Sequence, residues 1–205
     1  MSVGLSNTDA TSNCAAIILA AGQSSRLGKP KQLLQYQNKT LLQHAIDTAK
    51  QSAVQSVVVV LGSSADTILS ATNTSEIYIV KNDDWQSGMA STIRCGIEAL
   101  QTLDSTTDAA ILMVCDQPFV TSGLLNDLIQ KQNETGKAVI ASQYGDTVGT
   151  PALFHKQFFS KLMDLEGDAG AKKIIAQNSD SLETIPFPGG SIDIDTIDDY
   201  EALRK

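Results

Sequence analysis

Three apolar runs limit what this chain can fold into. Cys14-Ala15-Ala16-Ile17-Ile18-Leu19, Ser56-Val57-Val58-Val59-Val60-Leu61-Gly62 and Ala109-Ala110-Ile111-Leu112-Met113-Val114-Cys115 are almost wholly apolar. None alternates apolar with polar residues, so each reads as a strand covered on both faces. All are far shorter than the roughly 20 residues a membrane span needs. Helix-period segments separate them. Leu41, Leu42, Ala45, Ile46 and Ala49 form an apolar stripe, introduced by the capping spacing Thr40-Leu41-Leu42-Gln43. Further helices are expected at about 64–71, 89–103 and 121–133, with strands at 77–80 and 138–142. Such alternation requires right-handed βαβ crossovers. The expectation is an α/β fold with a mainly parallel central sheet and helices on both faces.

Beyond residue 148 a Gly149-Thr150-Pro151 turn precedes a strand at 152–154 and a helical stretch at 155–163. Gly167-Asp168-Ala169-Gly170-Ala171 opens a helix toward Gln177. Short strands are expected near 182–185 and 191–194, and Thr196-Ile197-Asp198-Asp199 caps a last helix. No repeat or linker interrupts the pattern, so a polar tail (1–13) and a single domain (14–205) are expected. The chain carries no Lys or Arg before Cys14, so the Ala-rich run lacks the charged start of a signal peptide and a cytoplasmic location is expected. Cys14, Cys95 and Cys115 form no CxxC pair and read as small buried hydrophobes in a reducing compartment.

The net charge of −8 argues against a general nucleic-acid binder, yet positive charge is concentrated after the first run. Leu19-Ala20-Ala21-Gly22-Gln23-Ser24-Ser25-Arg26-Leu27-Gly28-Lys29-Pro30-Lys31 contains three cations and no acid. A small-residue loop leaving a strand presents backbone N–H groups to an anion, so it reads as a grip for the phosphates of a nucleoside triphosphate. It is neither a dinucleotide fingerprint nor a Walker loop, because Gly22 and Gly28 are wrongly spaced and no Gly-Lys-Ser/Thr ends it. Lys29 reads as an exposed loop lysine, whereas Lys31 follows the stiff Pro30. Asp116, where a buried strand emerges, reads either as a Mg²⁺ ligand or as a turn cap. Asp193 and Asp195, on one face of a strand, read either as partners of that ligand or as a solvated acidic end. His44 and His155 are too scattered for a histidine metal site.

The resemblance to a known family is carried by these residues together. Leu19-Ala20-Ala21-Gly22-x-Ser24-x-Arg26-x-Gly28-x-x-Lys31, Trp85-x-x-Gly88-Met89-x-x-Thr92-Ile93-x-x-Gly96, Cys115-Asp116-Gln117-Pro118, Gly149-Thr150-Pro151, Gly167-Asp168-x-Gly170-Ala171 and Asp193-Ile194-Asp195-Thr196 occur in order. The chain thereby resembles, over about 14–204, the nucleotidyltransferases that mature the molybdenum cofactor, and most closely their cytidylyltransferases. The resemblance implies a Rossmann-like nucleotidyltransferase fold and transfer of CMP from CTP to the terminal phosphate of molybdopterin, releasing pyrophosphate. It implies that Leu19, Ala20, Ala21 and Gly22 hold base and ribose, with Gly88 and Thr92 in a segment (82–92) closing over the base. Ser24, Ser25, Arg26 and Lys31 would hold the triphosphate, with Arg26, Lys31 and Asp116 catalytic. Asp116 and Asp195 would hold Mg²⁺, replaceable by Mn²⁺, with Asp193 the alternative ligand. Gln117, Pro118, Gly149, Pro151 and Asp168 would line the acceptor side, and the helix start after Gly167 would offer N–H groups to the acceptor phosphate. Ala21 stands where guanylyl-transferring relatives carry glycine, and its methyl is expected to favour a pyrimidine. The product would pass to a molybdoenzyme or its chaperone, with no nucleic-acid or membrane partner. The competing readings are guanylyl transfer, activation of another phosphorylated metabolite, and a nucleotide-binding module without catalysis.

Overall fold

The computed structural model describes residues 13–24 and 27–204. In chain order the elements are β1 (Cys14–Ala20), β2 (Gln35–Tyr36), β3 (Lys39–Thr40), α1 (Leu41–Lys50), β4 (Ser56–Leu61), α2 (Ala65–Ser70), β5 (Tyr78–Lys81), α3 (Met89–Leu103), β6 (Ala109–Val114), α4 (Ser122–Thr135), β7 (Val139–Tyr144), β8 (Thr147–His155), α5 (Phe159–Met163), α6 (Ala171–Gln177), β9 (Leu182–Pro186) and α7 (Ile197–Leu203). β2 and β3 form a small hairpin; the other strands make one sheet in the order β5-β4-β1-β6-β8-β7-β9. β1 runs parallel to β4 and β6, β4 to β5, and β7 to β9, whereas β8 is antiparallel to both its neighbours.

The apolar runs are strands β1, β4 and β6 at the middle of this sheet, and both faces are covered. Successive β1 side chains point to opposite sides. Ala16 and Ile18 pack with Leu42 and Ile46 of α1 and Leu125 and Leu128 of α4. Ile17 and Leu19 pack with Ile93, Ile97 and Leu100 of α3 and Leu162 of α5. Gly96 sets how closely α3 lies on the sheet, because a β-carbon there would stand 2.6 Å from Ile17 Cγ2. Thr40 caps α1 by accepting from the Gln43 N–H, and Thr196 and Asp199 form a reciprocal capping box on α7. Such caps contribute about 1 kcal/mol each.

Three expectations are corrected. Residues 191–194 are not a strand. A 3-10 turn at Pro188–Ser191 leads into irregular chain joined to the sheet region by the bond from Ile194 N–H to the Asp116 carbonyl. Gly149-Thr150-Pro151 lies inside β8 rather than before it. The β7–β8 register jumps from Ala141↔Ala152 to Ser142↔Gly149, so Thr150 and the cis-linked Pro151 form a bulge, a place in a sheet where proline is tolerated. Asn13, assigned to the tail, is tied to the body because its carbonyl accepts from Asp108 and Ala109 N–H groups. Residues 1–12 of that tail lie outside the described residues. Among the described residues no helix is long and apolar enough to cross a membrane.

Candidate active site

The C-terminal ends of β1, β4 and β6 face the same edge, the place where open α/β sheets bind ligands. The loop after β1 is held there by Gln32, a buried amide that the sequence reading overlooked. Its Nε2 donates to the carbonyls of Ala20 (2.7 Å) and Gly22 (3.1 Å). The Ala21 carbonyl accepts from Ser63 N–H at 3.1 Å. Ser24, at a left-handed φ of 56°, uses its hydroxyl oxygen to accept from the Lys31 N–H at 3.0 Å, which fixes the turn that delivers Lys31. Ser25 and Arg26 lie outside the described residues. Lys29 is exposed, with its ammonium 5.7 Å from the Tyr200 ring centroid.

A cavity of about 430 Å³ opens beside this loop. It is lined by Leu19, Ala21, Gly22, Trp85, Gly88, Thr92 and Asp168 among others. Of the residues expected at the base, Leu19, Ala21, Gly22, Gly88 and Thr92 are therefore brought together, whereas Ala20 does not line this cavity and is buried in the apolar core. Ala21 is buried with its methyl against Gly62, where an added β-carbon would stand 2.9 Å from it and 2.6 Å from Trp85 Cβ. The segment over the cavity is organised by Asn82, a second residue overlooked in the sequence. Its Nδ2 donates to Ser91 Oγ (2.8 Å) and Thr92 Oγ1 (3.2 Å), and its Oδ1 accepts from Asp84 N–H (3.0 Å). Thr92 thus keeps its hydroxyl at the cavity wall but commits it to Asn82. Gly88, at φ +97°, meets Asp168, since a β-carbon there would stand 2.5 Å from Asp168 Oδ1. Ala90 N–H donates to the Gly167 carbonyl at 3.0 Å.

Lys31 follows the loop whose first residues line the cavity, and its ammonium donates to Asp116 Oδ2 and to Asp195 Oδ1, the latter at 3.0 Å. Burial opposes the charged lysine, but the Asp116 carboxylate and the hydrogen bonds to both acids outweigh it and raise its pKa above the ordinary lysine value. Asp116 Oδ1 is buried with no hydrogen-bond partner among the described residues. Asp193 reaches the same centre without a strand to align it. Burial raises its pKa, as do the charges of Asp116 and Asp195, against an opposing hydrogen bond from Gln117 and the charge of Lys172. Among the described residues no group of three His, Cys, Asp or Glu side chains is disposed to hold a metal. A cation bound by Asp116 and Asp195 therefore needs further oxygens from elsewhere.

The residues expected on the acceptor side are distributed more widely. Gln117 is buried, donating to the Gly190 carbonyl (3.1 Å) and accepting from Thr150 Oγ1 (3.4 Å). Gly149 lies close by, facing the Tyr144 hydroxyl. Pro118 turns the other way, its carbonyl accepting from His44 Nε2 at 3.0 Å. Pro151 is buried in the bulge, with its carbonyl accepting from Ser142 Oγ at 2.7 Å. Asp168 is placed in the cavity with the base residues rather than with Gln117 and Gly149.

A cavity lined by the loop after β1, and an ammonium between two carboxylates at the end of that loop, define an α/β protein with a charged site at the ends of its parallel strands. Comparison with known proteins makes the class specific. Residues 16–182 match the MobA-like NTP transferase domain, and the chain belongs to that family, an enzyme of the NTP transferase class. It is 29% identical over 196 residues, covering 91% of this chain and 94% of the relative, to the nicotine blue oxidoreductase of Paenarthrobacter nicotinovorans. It is 27% identical over 154 residues, 75% of this chain and 74% of the relative, to a Bacillus mycoides protein named "Probable molybdenum cofactor guanylyltransferase". A Mycobacterium tuberculosis H37Rv protein crystallised in complex with manganese is 28% identical, covering 94% of this chain and 98% of that one, with a TM-score of 0.78.

Proposed function

We propose that the protein transfers CMP from CTP to the terminal phosphate of molybdopterin, releasing pyrophosphate and forming molybdopterin cytosine dinucleotide. The observation that carries the transfer chemistry is the Lys31 ammonium between Asp116 and Asp195, at the end of the loop that lines the cavity. In this reading the backbone of Leu19–Gly22 and the Asn82-braced segment seat base and ribose. Lys31 and Arg26 stabilise the charge that builds on the departing pyrophosphate. The acceptor phosphate is already largely ionised at neutral pH, so positioning and charge neutralisation matter more than a general base. The donor set suits a hard cation, because Asp116 offers a buried oxygen with no partner among the described residues and its companion Asp195 is also a carboxylate. Oxygen donors completed by substrate phosphates suit Mg²⁺ or Mn²⁺, and the related mycobacterial structure holds manganese. Bound there, the ion would supply charge neutralisation to the triphosphate. Asp193 is the alternative second ligand.

Cytosine is favoured by Ala21, whose buried methyl against Gly62 occupies space at the cavity wall. The test is pyrophosphate release from each of the four nucleoside triphosphates, with and without molybdenum cofactor. Cofactor-dependent turnover with CTP alone is expected, and Ala21→Gly should raise turnover with GTP relative to CTP. Turnover with GTP alone would replace cytidylyl by guanylyl transfer. Oxidation of a reduced nicotinamide without nucleotide transfer would place the chain with its oxidoreductase relative instead. Delivery of the product to a molybdoenzyme or its chaperone completes the proposal.

A further inference from the structure

We infer that Lys172 receives the anionic end of the acceptor, a phosphomonoester, and so helps choose which acceptors are used. The inference rests on the transferase reading above and deepens it. In the sheet, β1 with its phosphate loop lies on one side of β6 and β8 and β7 lie on the other. Asp116 follows β6, so an acceptor approaching from the side away from the loop meets residues of β7, β8 and α6. Lys172, the second residue of α6, is on that side. Its ammonium is 5.9 Å from the Tyr144 ring centroid. Its stem lies along Gly149, where a β-carbon would stand 2.9 Å from Lys172 Cε and 2.4 Å from the Tyr144 hydroxyl. Gly149 thus gives room for both side chains.

From Lys172 the packing leads to the reaction centre through Tyr144 and Gln117, the latter adjacent to Asp116. The charges there are unbalanced. Asp116, Asp193 and Asp195 crowd the centre, and Lys31, which contacts Asp116 and Asp195, serves the departing pyrophosphate in that reading rather than the acceptor. A phosphate dianion entering among these acids is repelled by several kcal/mol at short range unless a cation meets it. Lys172 takes part in none of the ion pairs formed among the described residues, although it is near enough to Asp193 for its charge to be felt there. It is an exposed side chain braced by an aromatic ring and a glycine, and its charge is available to a ligand. The sequence reading had given the acceptor phosphate to N–H groups after Gly167, but Asp168 and Gly167 face Gly88 and the nucleotide cavity.

The test compares Lys172→Met, which keeps the stem and removes the charge, with Lys172→Arg, which keeps the charge. With CTP saturating and molybdopterin varied, the Met variant should show KM for the acceptor raised about 10- to 100-fold, the effect of losing one charged hydrogen bond. Its Kd for CTP should be unchanged, and Lys172→Arg should restore KM to within a few-fold. In parallel, inorganic phosphate is titrated into Mg²⁺–CTP-saturated protein and followed by ³¹P NMR. Saturable binding is expected in the wild type and Lys172→Arg but not in Lys172→Met. An unchanged acceptor KM, equal weakening of CTP binding, or phosphate binding indifferent to the Met substitution overturns the assignment. If the wild type uses no molybdopterin, the acceptor reading fails, and the phosphate titration alone decides the role of Lys172.

Discussion

Lys31→Met tests the centre of the site, because it removes the ammonium while keeping much of the stem. Asp195 is 3.0 Å from that ammonium with its side chain 44% exposed; the Asp116 side chain is only 13% exposed. The gross attraction to Asp195 is about 5 kcal/mol at an effective dielectric of about 20, but exposed pairs of this kind retain roughly 0–1 kcal/mol after screening and desolvation. The larger effect is at Asp116, which is left mostly buried and unpaired at a cost of about 2–3 kcal/mol. A net loss of about 2–3 kcal/mol in a chain of 205 residues lowers Tm by roughly 5–10 °C. Turnover should fall by about 10² or more, the scale for a preorganised charge stabiliser. The two effects separate when Mn²⁺ is added without nucleotide. Asp116 and Asp195 without the ammonium between them attract the ion more strongly, and stabilisation by a ligand grows with its concentration over Kd. Calorimetry at millimolar Mn²⁺ should therefore raise Tm of Lys31→Met by several degrees more than that of the wild type. A variant with wild-type Tm and no added response to Mn²⁺ would refute the bridging arrangement and the metal assignment with it.

Three further outcomes follow from the same geometry. Asp116→Asn should abolish turnover yet change Tm by only a degree or two, because one carboxylate oxygen has no partner among the described residues and Lys31 keeps Asp195; activity near wild type would remove Asp116 from the site. Asn82→Ala should raise KM for the nucleotide severalfold and cost about 1–3 kcal/mol by leaving Ser91, Thr92 and the Asp84 N–H without their partner, measurable by steady-state kinetics and chemical denaturation. Burial pushes the thiols of Cys14 and Cys115 up to about 12, so both stay protonated at pH 8. Mass spectrometry after native alkylation should find label only on the partly exposed Cys95, and on all three cysteines after unfolding; labelling of native Cys115 would contradict its placement.

What could be read from the sequence depended on how locally each feature is determined. β1, β4 and β6 were legible because burial on both faces leaves no polar position to confuse the pattern. The caps of α1 and α7 were legible because a cap is a contact between residues three apart. The β7–β8 bulge was not, since nothing local in Gly149-Thr150-Pro151 says that a strand continues through it. Gln32 and Asn82 were passed over for a related reason. An amide is unremarked in a sequence until its partners are known, and theirs are backbone carbonyls at the end of β1 and just after it and hydroxyls of α3. The strand expected at 191–194 failed because apolar–polar alternation in Ile192-Asp193-Ile194-Asp195 imitates a strand, whereas Ile194 is buried among Leu27, Leu34 and Leu41 and no ladder partner lies alongside among the described residues.

That failed strand shows why the site is more robust than the reasoning that found it. Asp195 was placed near Asp116 on an argument about alternating strand faces, yet it arrives there by three other contacts. Ile194 N–H is fixed to the Asp116 carbonyl, the Asp195 N–H donates to Asp199 Oδ2, and the Asp199–Thr196 capping box closes the start of α7. Lys31 is held independently, by the turn that the Ser24 hydroxyl closes, and Asp116 by the end of the β6 ladder. None of these bonds uses the charged side-chain atoms of Lys31, Asp116 or Asp195. The position of each acid therefore survives loss of the lysine, which lets a charge-removing substitution report on chemistry rather than on collapse of the centre.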